Sequence, residues 1–312
     1  MRMELHEQTK QDLVNYMASS HGPLILQGRN GMGQEEAAEK IARELLGMPQ
    51  CGRSLGTHPD YYEIRPENGM IRTGQMEHLR EWLCYQAVEA ARKVILVYGA
   101  EQMNQNAQNS MLKLLEDGTD SHIVIMVSQH PLLETIHSRC QAIHFREIPQ
   151  ERMESMLAEA CPGLGTQEQQ TLGILADGRC GLLQELLEKK DSLGWAQAYL
   201  DALAGFRDRK ELLEALHAVQ EKDKNYIYDD LKEEGGLSLF FELNLSMFGK
   251  ALRIQAGLLP SDAYAGHLAK QYGTEEITDI LKCFAWGLNH FRLGRFTRND
   301  FFRILQTLIG GN

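Results

Sequence analysis

The run Pro23-Leu24-Ile25-Leu26, followed by Gly28-Arg29-Asn30-Gly31-Met32-Gly33-Gln34-Glu35, constrains the fold more than any other stretch of this chain. A short apolar segment, a glycine-rich turn and a helix-competent stretch from Glu36 to Leu46 predict a buried strand that leads into a phosphate-loop shape. A working loop reads G-x-x-x-x-G-K-[S/T]: its backbone N–H groups cradle phosphates, its lysine reaches the terminal phosphates and its hydroxyl holds Mg²⁺. Gly28 and Gly33 keep the spacing, but Gln34 replaces the lysine and Glu35 replaces the hydroxyl. A carboxylate in a first helical turn suits the helix dipole and repels a phosphate tail. Charge-assisted hydrogen bonds contribute about 1.5–3 kcal/mol each, so losing the lysine and the metal ligand costs about 3–6 kcal/mol. That is about two to four decades of affinity. The expectation is a fold without its chemistry: no bound ATP and no hydrolysis.

The neighbouring segments extend that fold. Strand candidates are Leu24-Gln27, Tyr61-Arg65, Lys93-Tyr98, His122-Ser128 and Ala142-Arg146, several of them continuous aliphatic runs as in buried parallel strands. Between them Glu36-Leu46, Gln75-Val88, Asn104-Glu116 and Leu132-His137 carry apolar residues at helical spacing. This alternation predicts an α/β domain over residues 1–148 with a mostly parallel sheet. After Pro149 the strand signal ends. Residues 149–190 predict a small helical lid domain of three short helices, broken at Cys161-Pro162-Gly163 and Asp177-Gly178. Residues 191–312 predict an all-α bundle with a collar or oligomerisation role, turning near Gly235-Gly236, Gly257 to Pro260, Gly273 and Gly294, with a last helix over Asn299-Ile309.

Composition excludes several classes. A net charge of −11 over 312 residues argues against a dominant nucleic-acid surface, which needs clustered Lys and Arg. The polar start MRMELHEQTK lacks a signal-peptide core, and no run reaches the 18 or more apolar residues of a membrane span. The six cysteines are scattered with no C-x-x-C pair, which fits a reducing compartment, so a cytoplasmic protein without a membrane partner is expected.

The strand Lys93-Val97 would end, in a nucleotide hydrolase of this type, in two acidic residues that hold Mg²⁺ and orient water. Tyr98 and Gly99 stand there instead. Glu101 is the local acid, read either as a helix-start carboxylate or as a metal ligand. Further on lie Asn106-Ala107-Gln108-Asn109-Ser110-Met111-Leu112-Lys113-Leu114-Leu115-Glu116, the strand ending in Ser128, and Thr135-Ile136-His137-Ser138-Arg139-Cys140. With Gly56-Thr57-His58-Pro59-Asp60, these motifs resemble the clamp-loader branch of the AAA+ ATPases, and within it the delta-prime family of bacterial DNA polymerase III. The resemblance covers most of residues 20–148; beyond 150 it rests on domain order.

The resemblance implies that Arg139, flanked by Ser138 and Cys140, serves as a trans arginine finger for ATP bound on a neighbouring subunit. The residue alone reads equally as a helix-end arginine that caps carbonyls or pairs with Glu134. It further implies a non-catalytic subunit held by its C-terminal bundle beside gamma/tau-like ATPase subunits and a delta-like subunit. Such a loader acts on a sliding clamp and on primer–template DNA. Alternatives are an active ATPase subunit, drawing a lysine from Lys40 or Lys113, and an adaptor of another assembly. Family members carry four zinc-spaced cysteines before the G-x-H-P-D turn; here only Cys51 remains, with His58 a turn residue, so no metal is expected. Ser128 reads as a phosphate sensor or a strand-end cap, and Gly181 falls where the lid of an active ATPase offers an arginine. The recurrence of His130, His137 and His144 reads as chance. The C-terminal aromatics read as bundle core, and Asp229-Asp230 and Glu233-Glu234 as a solvated acidic run.

Overall fold

The structure is a computed structural model, and it describes residues 5–19, 22–48, 53–116, 121–188, 194–206, 211–212, 236–262 and 264–309. The chain forms two compact units: Met1–Met153 with Gly178–Gln184, and Glu154–Asp177 with Glu185–Asn312.

The first unit holds five strands, β1 (Leu24–Gln27), β2 (Tyr61–Ile64), β3 (Lys93–Val97), β4 (His122–Ser128) and β5 (Gln141–His144). They form one parallel sheet in the order β2-β3-β4-β1-β5. Leu24 sits opposite Ile125 on one side and Gln141 on the other, and Val94 sits between Tyr61 and Ile123. All five predicted strands form, with shifts only at their ends. Because successive strand side chains alternate, an apolar run buried on both faces feeds two cores. Leu24, Leu26, Val94, Leu96, Ile123 and Ile125 pack with Tyr16 of α1 (Glu7–Ala18) and with Ala38 and Ile41 of α2 (Gln34–Leu45). Ile25, Ile95, Val97, Val124 and Met126 pack with Met76 and Leu79 of α3 (Thr73–Leu83). The same core takes Met111 of α4 (Gln105–Glu116) and Ile136 of α5 (Glu134–His137).

Two local readings are corrected. The segment Glu7–Ala18, for which no element is predicted, folds as α1: Tyr16 is buried, and Leu13 and Met17, one helical turn apart, are partly buried against the same core. The Tyr16 hydroxyl donates to Gly22 O at 2.8 Å, and burial pushes the phenol up to about 12. The predicted helix Gln75-Val88 instead ends at Leu83. At and just past its expected end the amides are claimed elsewhere: the fully buried Asp60 carboxylate accepts the N–H groups of Val88, Glu89 and Ala90, each at 2.7 Å. Those donors hold the chain in a loop that a helix cannot follow.

Beyond Pro149 the regular elements among the described residues are all helices. The first helices are α6 (Gln150–Ala160), α7 (Thr166–Ala176) and α8 (Cys180–Glu188), broken at the two predicted points. After α9 (Gly194–Gly205) come α10 (Gly236–Gln255), α11 (Ala265–Gln271), α12 (Thr274–Arg292) and α13 (Arg298–Ile309). The predicted turns at Gly257, Gly273 and Gly294 fall between helices, while Gly235 and the acidic run lie outside the described residues. The core of the second unit is aromatic. The Phe240 ring lies 5.1 Å from Tyr199, 5.6 Å from Phe301 and 6.0 Å from Phe284, centroid to centroid. Buried Asn244 accepts from the Tyr199 hydroxyl at 2.5 Å and donates to Phe240 O at 2.9 Å, so these two polar side chains satisfy one another inside the core. Asp177, in the left-handed region with φ 46°, accepts from Ser246 Oγ and Lys250 Nζ, each at 2.7 Å. Among the described residues no helix is long and apolar enough to cross a membrane.

Burial alone would raise the Asp60 carboxyl, but the three amides outweigh it and hold the group below the usual carboxylate range. Its stabilisation is therefore present above the unfolded value near about 3.9 and is lost as pH falls through the lower folded value. Asp60→Asn should cost about 2 kcal/mol in urea unfolding at pH 7, because hydrogen bonds to a charged acceptor weaken. The deficit should shrink as the pH is taken down through the acid range.

Candidate functional site

In a parallel sheet the carboxyl ends of all strands open on one edge, and the loops that follow them gather there. Here that edge collects the loop after β1, Arg65 after β2, Tyr98 after β3, Ser128 at the end of β4 and Phe145 after β5.

The loop keeps its outline. The Gly28 N–H donates to Ser128 O at 3.1 Å, tying the loop to β4, and Gly33 caps α2 with φ 94°. Its interior is closed by the chain itself. Gln34 is buried, and its Nε2 donates to Gly28 O at 2.7 Å and to Arg29 O at 2.8 Å. The amide thus folds back on the loop, where a lysine would extend toward a ligand. From α8, the Leu182 N–H donates to Gly31 O at 2.9 Å and the Cys180 thiol to Met32 O at 3.4 Å. The approach is close enough that a Cβ on Gly181 would lie 2.9 Å from Gly31 O, and one on Gly31 would lie 2.9 Å from Leu182 Cβ. The expected position of an ATPase arginine therefore holds a glycine pressed onto the loop backbone.

The metal side of the edge is likewise occupied. Tyr98, in place of the first acid, is buried and donates its hydroxyl to Glu39 Oε1 at 3.0 Å. Burial and then the Glu39 charge push its phenol well above the usual tyrosine value, so it stays a neutral donor. Over its ring, 3.4 Å from the centroid, lies the Arg65 guanidinium, within reach of a cation–π contact. Arg65 also bonds Glu63 Oε1 at 2.5 Å and reaches Glu35 Oε2 at 3.4 Å. Gly99, in place of the second acid, has φ 58°, and a Cβ there would lie 2.9 Å from Pro66 Cγ.

The remaining candidates take ordinary places. Glu101 starts a single helical turn, Ala100–Gln102, and accepts from the Gln129 N–H at 3.3 Å. Ser128 is buried and its hydroxyl bonds His130 O, a strand-end cap. Lys40 and Lys113 are solvent-exposed. His58 Nδ1 accepts from the Asp60 N–H at 3.1 Å within the turn, and Cys51 lies outside the described residues. The histidine recurrence is not wholly chance: the His137 and His144 rings stack at 6.4 Å, because the short α5 leads directly into β5.

A second locus lies at the end of α5, where Ser138, Arg139 and Cys140 divide the work. Ser138 Oγ donates to Thr135 O at 3.2 Å, capping the helix. Cys140 is part-buried against the core under α4 and α5, and burial pushes its thiol up to about 12. Arg139, between these two anchors, keeps its side chain 38% exposed. Its Nη1 donates to Thr135 O at 3.0 Å and its Nη2 to Glu116 Oε1 at 2.7 Å. The carbonyl-capping alternative is thus present, while the acidic partner is Glu116 and not Glu134. Sequence reasoning missed Arg65, Glu39 and Glu116. Only Glu116 carried a signal, as the last residue of the quoted helix motif.

Residues 5–149 match a family model described as DNA polymerase III, delta subunit. Two curated relatives are named DNA polymerase III subunit delta'. The protein of Bacillus subtilis is 29% identical over 148 residues, covering 43% of this chain and 45% of its own length. That of Pseudomonas aeruginosa is 36% identical over 132 residues, covering 37% of this chain and 40% of its own. The chain thus spans less than half the length of these relatives. Among solved structures, a DNA polymerase III gamma subunit-related protein of Thermotoga maritima superposes with a TM-score of 0.48 at 18% identity, covering 97% of this chain and 99% of that one.

Replacing a helical glycine by alanine ordinarily gains about 1 kcal/mol. At position 181 the new Cβ meets backbone oxygen, and overpacking of that kind costs about 1–3 kcal/mol. Gly181→Ala should therefore lower the urea midpoint. In native protein at pH 8, iodoacetamide should modify the exposed Cys84 well before Cys140 or Cys180, whose thiols burial pushes up to about 12 and about 11. Peptide mapping of a time course reads the order.

Proposed function

We propose that the chain is a non-catalytic clamp-loader subunit of the delta-prime kind, a reading supported by the match of residues 5–149 and by the similarity to the two delta' proteins. It works in DNA replication beside gamma/tau-like ATPase subunits and a delta-like subunit. It binds neither ATP nor zinc, and presents Arg139 to ATP held by a neighbour. The loader it belongs to opens a sliding clamp and places it on primer–template DNA, and the chain resides in the cytoplasm.

The observation that carries this reading is the contrast between two loci of one domain. The phosphate loop is filled by Gln34 and pressed by Gly181, and a guanidinium lies beside Tyr98 near Glu35. Arg139 stands exposed at a helix end, between a serine that caps the helix and a part-buried cysteine. A domain that has lost its own phosphate chemistry yet holds an arginine outward is built to act on a nucleotide bound elsewhere. The guanidinium fork matches phosphoryl oxygens and stays charged at any working pH. Set against a transferring γ-phosphoryl, it stabilises charge that develops only in the transition state.

Two measurements test the reading. In a reconstituted loader, Arg139→Ala should lower ATP turnover by a factor on the order of 10³, the scale of a trans arginine, and an unchanged rate would refute the finger. Titrating the isolated chain with a fluorescent ATP analogue and Mg²⁺ should show no saturation up to millimolar ligand. Micromolar binding would instead make it a nucleotide-binding ATPase subunit.

A further inference from the structure

The Arg139 guanidinium is held on its own domain. One nitrogen is bonded to Thr135 O and another to the Glu116 carboxylate, at 3.0 and 2.7 Å. The two anchor points are fixed independently of the arginine. Glu116 ends α4, Thr135 lies in α5, and the two helices pack through Met111, Leu115 and Ile136 in one core. A carboxylate offers the guanidinium the same kind of anionic oxygen that a phosphoryl group offers. One N–H of each terminal nitrogen is directed at a protein acceptor, so the edge of the fork that faces α4 is taken up by Glu116, and closing that edge on a phosphate means giving up Glu116.

We infer that Glu116 is a positioning residue that stows Arg139 on α4 and yields it to the more highly charged triphosphate of a neighbour; this rests on the arginine-finger reading above. The strength of the latch suits that exchange. Both side chains are open to solvent, at 38% and 53% exposure, and an exposed ion pair is weak. The latch therefore orders the arginine while the neighbouring site is empty, yet raises the ATP concentration needed for engagement only modestly. A buried pair would lock the finger.

The test uses the full chain in a reconstituted loader, with four forms: unaltered, Glu116→Gln, Arg139→Ala and the double variant. Glu116→Gln should lower the half-saturating ATP concentration by about two- to fivefold, the range available from an exposed pair. The change should appear in KM more than in kcat, and Glu116→Asp should restore part of it. In the Arg139→Ala background the Glu116→Gln change should have no effect on binding of a fluorescent ATP analogue by the loader. An unchanged or raised KM in Glu116→Gln, with Arg139→Ala still slow, overturns the stowing role and leaves the finger standing. The same shift with and without Arg139 overturns it as well, by assigning the effect to α4 itself. Normal turnover in Arg139→Ala removes the reading on which both rest.

Discussion

Burial of a parallel sheet on both faces is the constraint from which the rest of the first unit follows. Parallel strands need crossovers, and the crossovers bring α2 to one core, where α1 joins it from ahead of β1, and α3, α4 and α5 to the other. The same geometry sends every strand end to one edge. The loop after β1, Tyr98 and Arg65 meet because parallel strands deliver them there, although they are far apart in the chain. An edge of this kind is where an α/β fold ordinarily holds a ligand.

What occupies that edge here is protein. A phosphate loop without a ligand exposes carbonyls and amides that must find partners. Gln34 and Leu182 supply donors to three of the loop carbonyls, those of Gly28, Arg29 and Gly31. Where a metal and its acid would sit, a guanidinium rests on a phenol ring between Glu35 and Glu63. Glu35, unfavourable toward a phosphate, becomes a partner once Arg65 reaches it. The degenerate motif thus has a positive structural content: each lost ligand is matched by an internal contact.

The second locus obeys a different rule. Arg139 stays exposed while its neighbours carry the anchoring: the Ser138 hydroxyl closes the helix and the Cys140 thiol sits against the core. A hydroxyl for the cap, a long cation and a small apolar thiol perform tasks that no one residue type combines.

The chain by itself determined the strands, the parallel sheet, the helical remainder and the loss of phosphate and metal ligands, because these rest on local periodicity and on the identity of residues at fixed spacing. Apolar runs such as Lys93-Val97 and His122-Ser128 are legible since burial on both faces leaves no polar alternation. Helix α1 rests on a short pattern, Leu13, Tyr16 and Met17, within a polar segment, and the end of α3 was hidden because Asp60, far earlier in the chain, claims the amides of the loop beyond it. The pairings of Arg65 with Tyr98 and of Arg139 with Glu116 belonged to tertiary structure alone. No spacing rule links residues 33 or 23 positions apart. Only the packing of strand on strand and of α4 on α5 sets those side chains within bonding distance.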